Sequence, residues 1–425
     1  MEPNRGLQPV PRIALALSGG GFRAALFHLG VIRRLAEEGW LTSVDVVSSV
    51  SGGSILAAFM LLRWKAVIEQ PDQAQAFESL VQEPFCRLVS QRNFIKEWAM
   101  RLPTVPLRKL FDRSFTRTSL AAELFDEVFY PGGSWTSLPT SPYLVVNATT
   151  LESMRAWRFT RDGMGDSLIG HSPWDGQPMS LGGCVSASAA FPPVFPPMRI
   201  DAAGRTFSGP LYGETPLPKR KFVALTDGGV YDNLGVEALI KPTQLPGRKQ
   251  AIPPAQFLIV SDAGAPTPRT SRQSGLPALS EALLLYRSVE IAREQVSALR
   301  RRELMTAFLD QNNQRNGLLL MLGGGAHKLP DAIRKEYLDR VESIHQVPGE
   351  LLRKLRAVRT HLDRFDENEC RCLMYHGYTQ TDCFLWAYRE AFPAPYRVNR
   401  DRSPTWRIPF NAETIASWDR SLSQR

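Results

Sequence analysis

Twice within the first 65 residues a short apolar run ends in a glycine-rich turn and passes directly into a helix. Ile13 to Leu17 reads as a buried strand, closed by Ser18-Gly19-Gly20-Gly21. Ala25, Leu29, Ile32 and Ala36 then recur at helical spacing, with Arg33, Arg34, Glu37 and Glu38 between them and Gly39 as the C-cap. Val44 to Val50 reads as a second strand, closed by Ser51-Gly52-Gly53, and Ser54 to Trp64 as a second helix. Strand, helix, strand and helix at this spacing imply βαβ units, a parallel sheet and helices on its faces.

Further along, the pattern changes. Residues 65–140 are amphipathic, aromatic and punctuated by proline, which predicts a helical insertion. Strands are expected at Tyr143 to Ala148, Ala156 to Thr160, Phe222 to Leu225 and Phe257 to Val260. A loop is expected over about 262–280, helices over 280–305 and 331–392, and little pattern in the last thirty residues. The expected division is a core over 1–262 and a mainly helical part over 263–425, packed on that core.

Composition narrows the function class. Hydrophobic residues make up 43% of 425, which excludes wholesale disorder. A net charge of +9 suits an anionic partner, lipid surface or nucleic acid alike. No recognised nucleic-acid fold signature accompanies that charge, so no nucleic acid is expected. Five scattered cysteines form no disulfide framework and point to a reducing compartment. No apolar run approaches the roughly 18 residues that span a bilayer, and the first residues do not read as a signal peptide. The expectation is a cytoplasmic protein, peripheral to a membrane at most.

The glycine turns carry the chemistry. Each opens a helix, where free N–H groups and the helix dipole favour a phosphate or an oxyanion. Gly19-Gly20-Gly21-Phe22-Arg23-Ala24 fits the dinucleotide fingerprint G-x-G-x-x-A, and Asp45 follows at a suitable distance. Asp45, however, precedes Val46-Val47, whereas a ribose-binding acid belongs at the far end of that strand. A nucleotide-binding oxidoreductase remains the alternative. Ser49-Val50-Ser51-Gly52-Gly53 instead stands where a nucleophile elbow stands, its serine at a sharp strand-to-helix turn. Asp227-Gly228-Gly229 closes a later strand, and in a parallel sheet all three turns would open on one edge.

This constellation resembles the patatin-like phospholipases, whose motifs are G-G-G-x-[KR]-G, G-x-S-x-G and D-G-[GA]. The likeness runs from about residue 12 to 240 and takes in Ser186-Ala187-Ser188-Ala189-Ala190-Phe191-Pro192-Pro193. Ala24 and Ser49 stand where the family has glycine. The resemblance implies a three-layer α/β core and a serine acyl hydrolase acting on phospholipids or related lipid esters. In that reading Ser51 is the nucleophile, Asp227 its base, the N–H groups of Gly19, Gly20 and Gly21 hold the oxyanion, and Arg23 anchors their loop. A lipid-binding or signalling protein on the same scaffold, with little turnover, is the other reading.

Of six histidines, only His327, His345, His361 and His376 follow Asp227 as a Ser–His–acid triad would require, and none follows an evident strand. His345 and His361 read as positions on charged helices, and His28 as a packed residue. Cys370, Cys372, His376 and Cys383 fall on one helical face rather than in a zinc pattern, and no calcium loop is visible. Neither a metal nor a cofactor is expected. From Arg92 to Arg117, seven basic residues interleave with Phe94, Trp98, Leu102, Leu107, Phe111 and Phe115. The stretch suits an anionic membrane interface or, equally, a helical cap with a solvated basic face.

Overall fold

A computed structural model describes residues 12–176, 178–209, 221–241, 245–246, 254–264, 277–309, 316–341, 347–390, 392, 404–406 and 412–423. Ten strands among them form one mixed sheet: β1 (Ile13–Leu17), β2 (Val44–Val50), β3 (Tyr143–Thr150), β4 (Ala156–Thr160), β5 (Gly163–Asp166), β6 (Gly170–Pro173), β7 (Met198–Asp201), β8 (Phe222–Asp227), β9 (Phe257–Asp262) and β10 (Asn316–Met321). The order is β10-β9-β1-β2-β3-β4-β5-β6, with β8 also on β3 and β7 on β8. From β10 to β3 the neighbours are parallel; the other pairs are antiparallel.

Alternation along the strands supplies both faces of a three-layer α/β fold. Ile13, Leu15, Leu17 and Val47 point into one core, which includes helices α1 (Gly21–Glu37) and α2 (Gly52–Leu61). Ala14, Ala16, Val46 and Val260 point into the other, against Leu234, Val236, Leu239 and Leu304. The insertion is helical as expected and includes α3 (Phe94–Arg101), α4 (Val105–Phe111) and α5 (Arg117–Val128). After β6 comes α6 (Leu181–Ser188). The C-terminal part supplies α7 (Pro277–Leu309), α8 (Gly349–Ala357) and α9 (Glu367–Ala387).

Three features depart from the sequence reading or go beyond it. The C-terminal part also contributes an edge strand, β10, and a helix over Ala412–Ser423 that buries Trp418. α1 has no solvated side: all seventeen of its residues are buried, because α9 lies across it. The two helices approach so closely that a Cβ on Gly30 would overlap the Met374 carbonyl, and one on Gly377 the Phe27 carbonyl. Arg34 is buried there with Asp382 at 3.0 Å and Glu38 at 2.6 Å, as burial of a guanidinium requires.

The third departure positions the site. β8 does not join the parallel set. β4 occupies one edge of β3, and β2 pairs with residues 143–147 along the other. β8 pairs with residues 148–150 and overlaps β4 in register, so it must lie on the β2 edge, beyond the point where β2 stops. Running in the opposite direction, it brings Asp227 opposite Ala148, next to Asn147, the partner of Val50. Ser51 and Asp227 therefore meet end to end, from antiparallel strands.

Candidate active site

Ser51 follows β2 at φ 50 and ψ −118, a left-handed conformation for a residue with a Cβ. Such backbone costs on the order of 1–3 kcal/mol and persists only where its surroundings impose it. Here they do. A Cβ on Gly52 would strike the Gly21 backbone and one on Gly53 the Leu17 carbonyl, so only glycines let the two turns touch. The Ser51 N–H donates to Ser188 Oγ at 2.9 Å, whose own hydroxyl donates to the Asn147 carbonyl at 2.6 Å. Ser54 Oγ joins this network 3.0 Å from Ser188 Oγ. Ser49 is an ordinary strand residue within hydrogen-bond reach of Ser54 and needs no positive φ, and Ala24 is a buried helical residue. Neither departure from the family motif strains the backbone.

Asp227 is buried while Ser51 is half-buried. Desolvation raises the Asp227 carboxyl to about pKa 6, opposed in part by hydrogen bonds from the Gly229 N–H and the Ser51 hydroxyl and by the Arg293 charge. The Gly229 N–H lies 2.6 Å from Asp227 Oδ1. The Asp227 N–H donates to the Ala190 carbonyl, and Thr149 Oγ1 to the Asp227 carbonyl. The backbone of Asp227 is thus fixed through both its N–H and its carbonyl, and the carboxyl is held by the Gly229 N–H beside a hydroxyl.

The first glycine turn faces the same space. Gly20 and Gly21 have φ 137 and 58, so both need glycine. The Gly19 N–H is taken by the Asn233 carbonyl at 3.0 Å. The N–H groups of Gly20 and Gly21 have no partner among the described residues. Gly19 contributes instead by its small size, since a Cβ there would meet the Asn233 side-chain oxygen and Ser51 Cβ. Buried Arg23 donates from Nη1 to the Val358 carbonyl and from Nη2 to the Ala263 carbonyl, both at 2.8 Å. Desolvation lowers it to about pKa 10, still charged at neutral pH.

Ser51, Asp227, Gly19, Gly20, Gly21 and Arg23 all line one cavity of about 500 Å³. Apart from the Ser186 to Pro193 run, which includes Phe191, its remaining wall was not legible from motifs. Phe191, Val194 and Phe195 supply an apolar side, and α7 supplies Glu290, Arg293 and Arg301. Arg293 lies 3.0 Å from Glu290 and over the Phe191 ring, while Arg301 binds Asp262 at 2.7 Å. Thr360 to Asp363, between α8 and α9, complete the rim.

His361, expected on a helix, lies in that connection and lines the cavity. His28 is packed as expected, with Nδ1 at 2.6 Å from Ser261 Oγ and Nε2 at 3.0 Å from the Ser18 carbonyl; desolvation lowers it to about pKa 4. Burial lowers His171 and His376 to about 4 as well, and His376 Nε2 sits 2.9 Å from the Leu322 carbonyl. His327 is exposed on the turn Ala326–Lys328, and His345 falls outside the described residues. Cys370, Cys372, His376 and Cys383 are buried along α9, and all five cysteines are free thiols. Among the described residues no group of three His, Cys, Asp or Glu side chains could hold a metal, and no helix is long and apolar enough to cross a membrane.

Comparison with known proteins matches the sequence to a family. The patatin-like phospholipase profile matches residues 15–240, just over half of the chain. A patatin-like phospholipase domain-containing protein of Chaetomium globosum is 33% identical over 90 residues, 21% of this chain and 9% of that protein. The chain thus spans a small fraction of that relative. Among solved structures, human GIVD cytosolic phospholipase A2 in complex with methyl gamma-linolenyl fluorophosphonate is 13% identical, over 91% of this chain and 60% of that one, with a TM-score of 0.46. VipD from Legionella pneumophila is 14% identical over 93% of both chains, with a TM-score of 0.29. With three motif turns gathered on one cavity and the profile spanning all of them, the chain belongs to the patatin-like phospholipase family.

Proposed function

We propose that the protein hydrolyses carboxylic ester bonds of phospholipids or related lipids through a Ser51–Asp227 dyad. The observation that carries this reading is the strained, half-buried Ser51 beside a buried Asp227, in one cavity with the N–H groups of Gly20 and Gly21, which have no partner among the described residues. Ser51 Oγ attacks the ester carbonyl carbon as Asp227 accepts its proton. The carbonyl oxygen becomes an oxyanion held by the Gly20 and Gly21 N–H groups, and loss of one such donor typically costs about 10²–10³-fold. Collapse expels the alcohol, which recovers the proton from Asp227 and leaves an acyl-Ser51. Water, deprotonated by Asp227, then releases the fatty acid. Arg23 holds the turn in place from behind. The five free thiols suit a reducing compartment such as the cytoplasm, where the enzyme would work as a peripheral protein on an anionic membrane.

The base must be ionised to act, so kcat/KM on a soluble ester should rise with pH through a midpoint near 6, the value burial gives Asp227. An unperturbed imidazole would give a midpoint near 6.5, too close to separate by pH alone. His361→Ala makes the distinction, because His361 is the one histidine among the described residues that lines the cavity. A dyad predicts less than about a tenfold loss and an unchanged midpoint. A loss as deep as that of Ser51→Ala would establish a triad instead.

A further inference from the structure

A second recess, of about 400 Å³, lies outside the catalytic cavity. Lys109, Arg117 and Arg199 stand around it, and Phe115, Leu151 and Pro196 contribute its apolar lining. All three cations are exposed, and none forms a salt bridge among the described residues. Their neighbours differ: Arg92 is clamped to Glu97, Arg101 to Glu127 and Arg108 to Glu123. No carboxylate lines the recess, and nearby Glu152 is turned onto the Ala224 N–H. Of the seven basic residues from Arg92 to Arg117, Arg92, Arg101 and Arg108 are thus held in ion pairs, while Lys109 and Arg117 join Arg199 around the hollow.

Beside that set, α4 carries an apolar face into solvent. Leu107, Leu110 and Phe111, at i, i+3 and i+4, are 62%, 78% and 87% exposed. The other aromatics of the insertion do not share this exposure: Phe94 stacks on Phe125 and Trp98 packs on Phe195, both buried. One part of the insertion is thus a helical cap and the other an unpartnered amphipathic edge. The chain also joins the two hollows, since Val194 and Phe195 line the catalytic cavity while Pro196 and Pro197 line the recess.

We infer that this face docks the protein on an anionic membrane, with a lipid phosphate headgroup in the recess among Lys109, Arg117 and Arg199 and with Leu107, Leu110 and Phe111 in the acyl boundary. The inference rests on the lipid-ester reading and adds the surface that presents the membrane to that cavity. Three cations with no ion-pair partner among the described residues and no carboxylate in the lining complement an anionic headgroup layer, and three apolar side chains on one helical turn can enter a fluid interface without a preformed groove.

The test uses the full chain carrying Ser51→Ala, so that lipid is not consumed. Its cosedimentation is compared on vesicles of phosphatidylcholine mixed with phosphatidylglycerol and on vesicles of pure phosphatidylcholine. The triple variant Lys109→Glu, Arg117→Glu, Arg199→Glu should lose at least about tenfold in affinity for the mixed vesicles and most of the preference for them. Leu107→Ser with Phe111→Ser should weaken binding to the mixed vesicles severalfold while keeping its salt dependence. In the active Ser51 background, both variants should hydrolyse a soluble ester at the parent rate. Parent-like binding of the triple variant to mixed vesicles overturns the inference and leaves the hydrolase reading intact. It also falls if the Ser51→Ala parent binds neither vesicle type, which would assign the face to a protein partner. Failure of the active protein to cleave any ester refutes the hydrolase reading without bearing on the vesicle measurements.

Discussion

Ser51→Ala should lower hydrolysis of a soluble acyl ester by about 10³-fold or more, with the fold intact. Removing the hydroxyl removes the elbow oxygen that lines the cavity and can form the acyl-enzyme. What remains is binding and the oxyanion turn, which in serine hydrolases leave only residual catalysis. Alanine meets the same left-handed backbone as serine and keeps the N–H that donates to Ser188, so thermal stability should change little. Retention of more than about a tenth of the parent rate, with circular dichroism unchanged, would remove Ser51 from the mechanism.

Asp227→Asn should be nearly as damaging to activity and should stabilise the protein. An amide cannot accept the serine proton, yet its oxygen can still receive the Gly229 N–H. The stability effect follows from linkage. Burial raises the Asp227 carboxyl to about pKa 6 in the fold against an ordinary value of 3.8, so the folded state resists its ionisation. Below the unfolded value both states are protonated and there is no penalty. As pH rises from there to about 6 the unfolded state loses its proton first, and the penalty grows to about 3 kcal/mol, at roughly 1.4 kcal/mol per pKa unit. The variant should therefore melt at a higher temperature than the parent at neutral pH, with the gap closing as pH falls toward 4. Thermal melts across that range check this directly. A variant that is inactive and also less stable at neutral pH would mean that Asp227 holds the structure rather than poises the chemistry.

The motifs legible in the sequence are those made of consecutive residues. Each glycine turn and the elbow join a strand to a helix within a few positions, so local periodicity located Gly19 to Gly21 and Ser51 without knowledge of the tertiary fold. Asp227 was legible as the end of a strand, but the direction of that strand was not. β2 stops opposite Asn147 and leaves residues 148–150 of β3 open to β8, a long-range pairing with no local signal in the sequence. Ser188 lay within a noted run of small residues, yet its hydrogen bond to the Ser51 N–H depends on α6 and β2 meeting across 137 positions. Arg293 and His361 reach the cavity from the C-terminal part by tertiary packing alone. The charged residues Arg33, Arg34, Glu37 and Glu38 gave no sign of what packs on α1, because helical spacing shows where charge lies but not what covers it. The covering helix is α9, more than three hundred residues later.

The dyad reading makes one commitment that sets it apart from a scaffold that only binds lipid, and from phosphodiester cleavage. The bond broken must be the acyl carbon–oxygen bond. Phosphatidylcholine–phosphatidylglycerol vesicles incubated with the protein in ¹⁸O-labelled water, followed by mass spectrometry of the lipids, test this most directly. The account predicts free fatty acid carrying the label in its carboxylate, with unlabelled lysophospholipid as the partner product, and neither with Ser51→Ala or Asp227→Asn. Absence of fatty acid, or label appearing in a released phosphate instead, would contradict it.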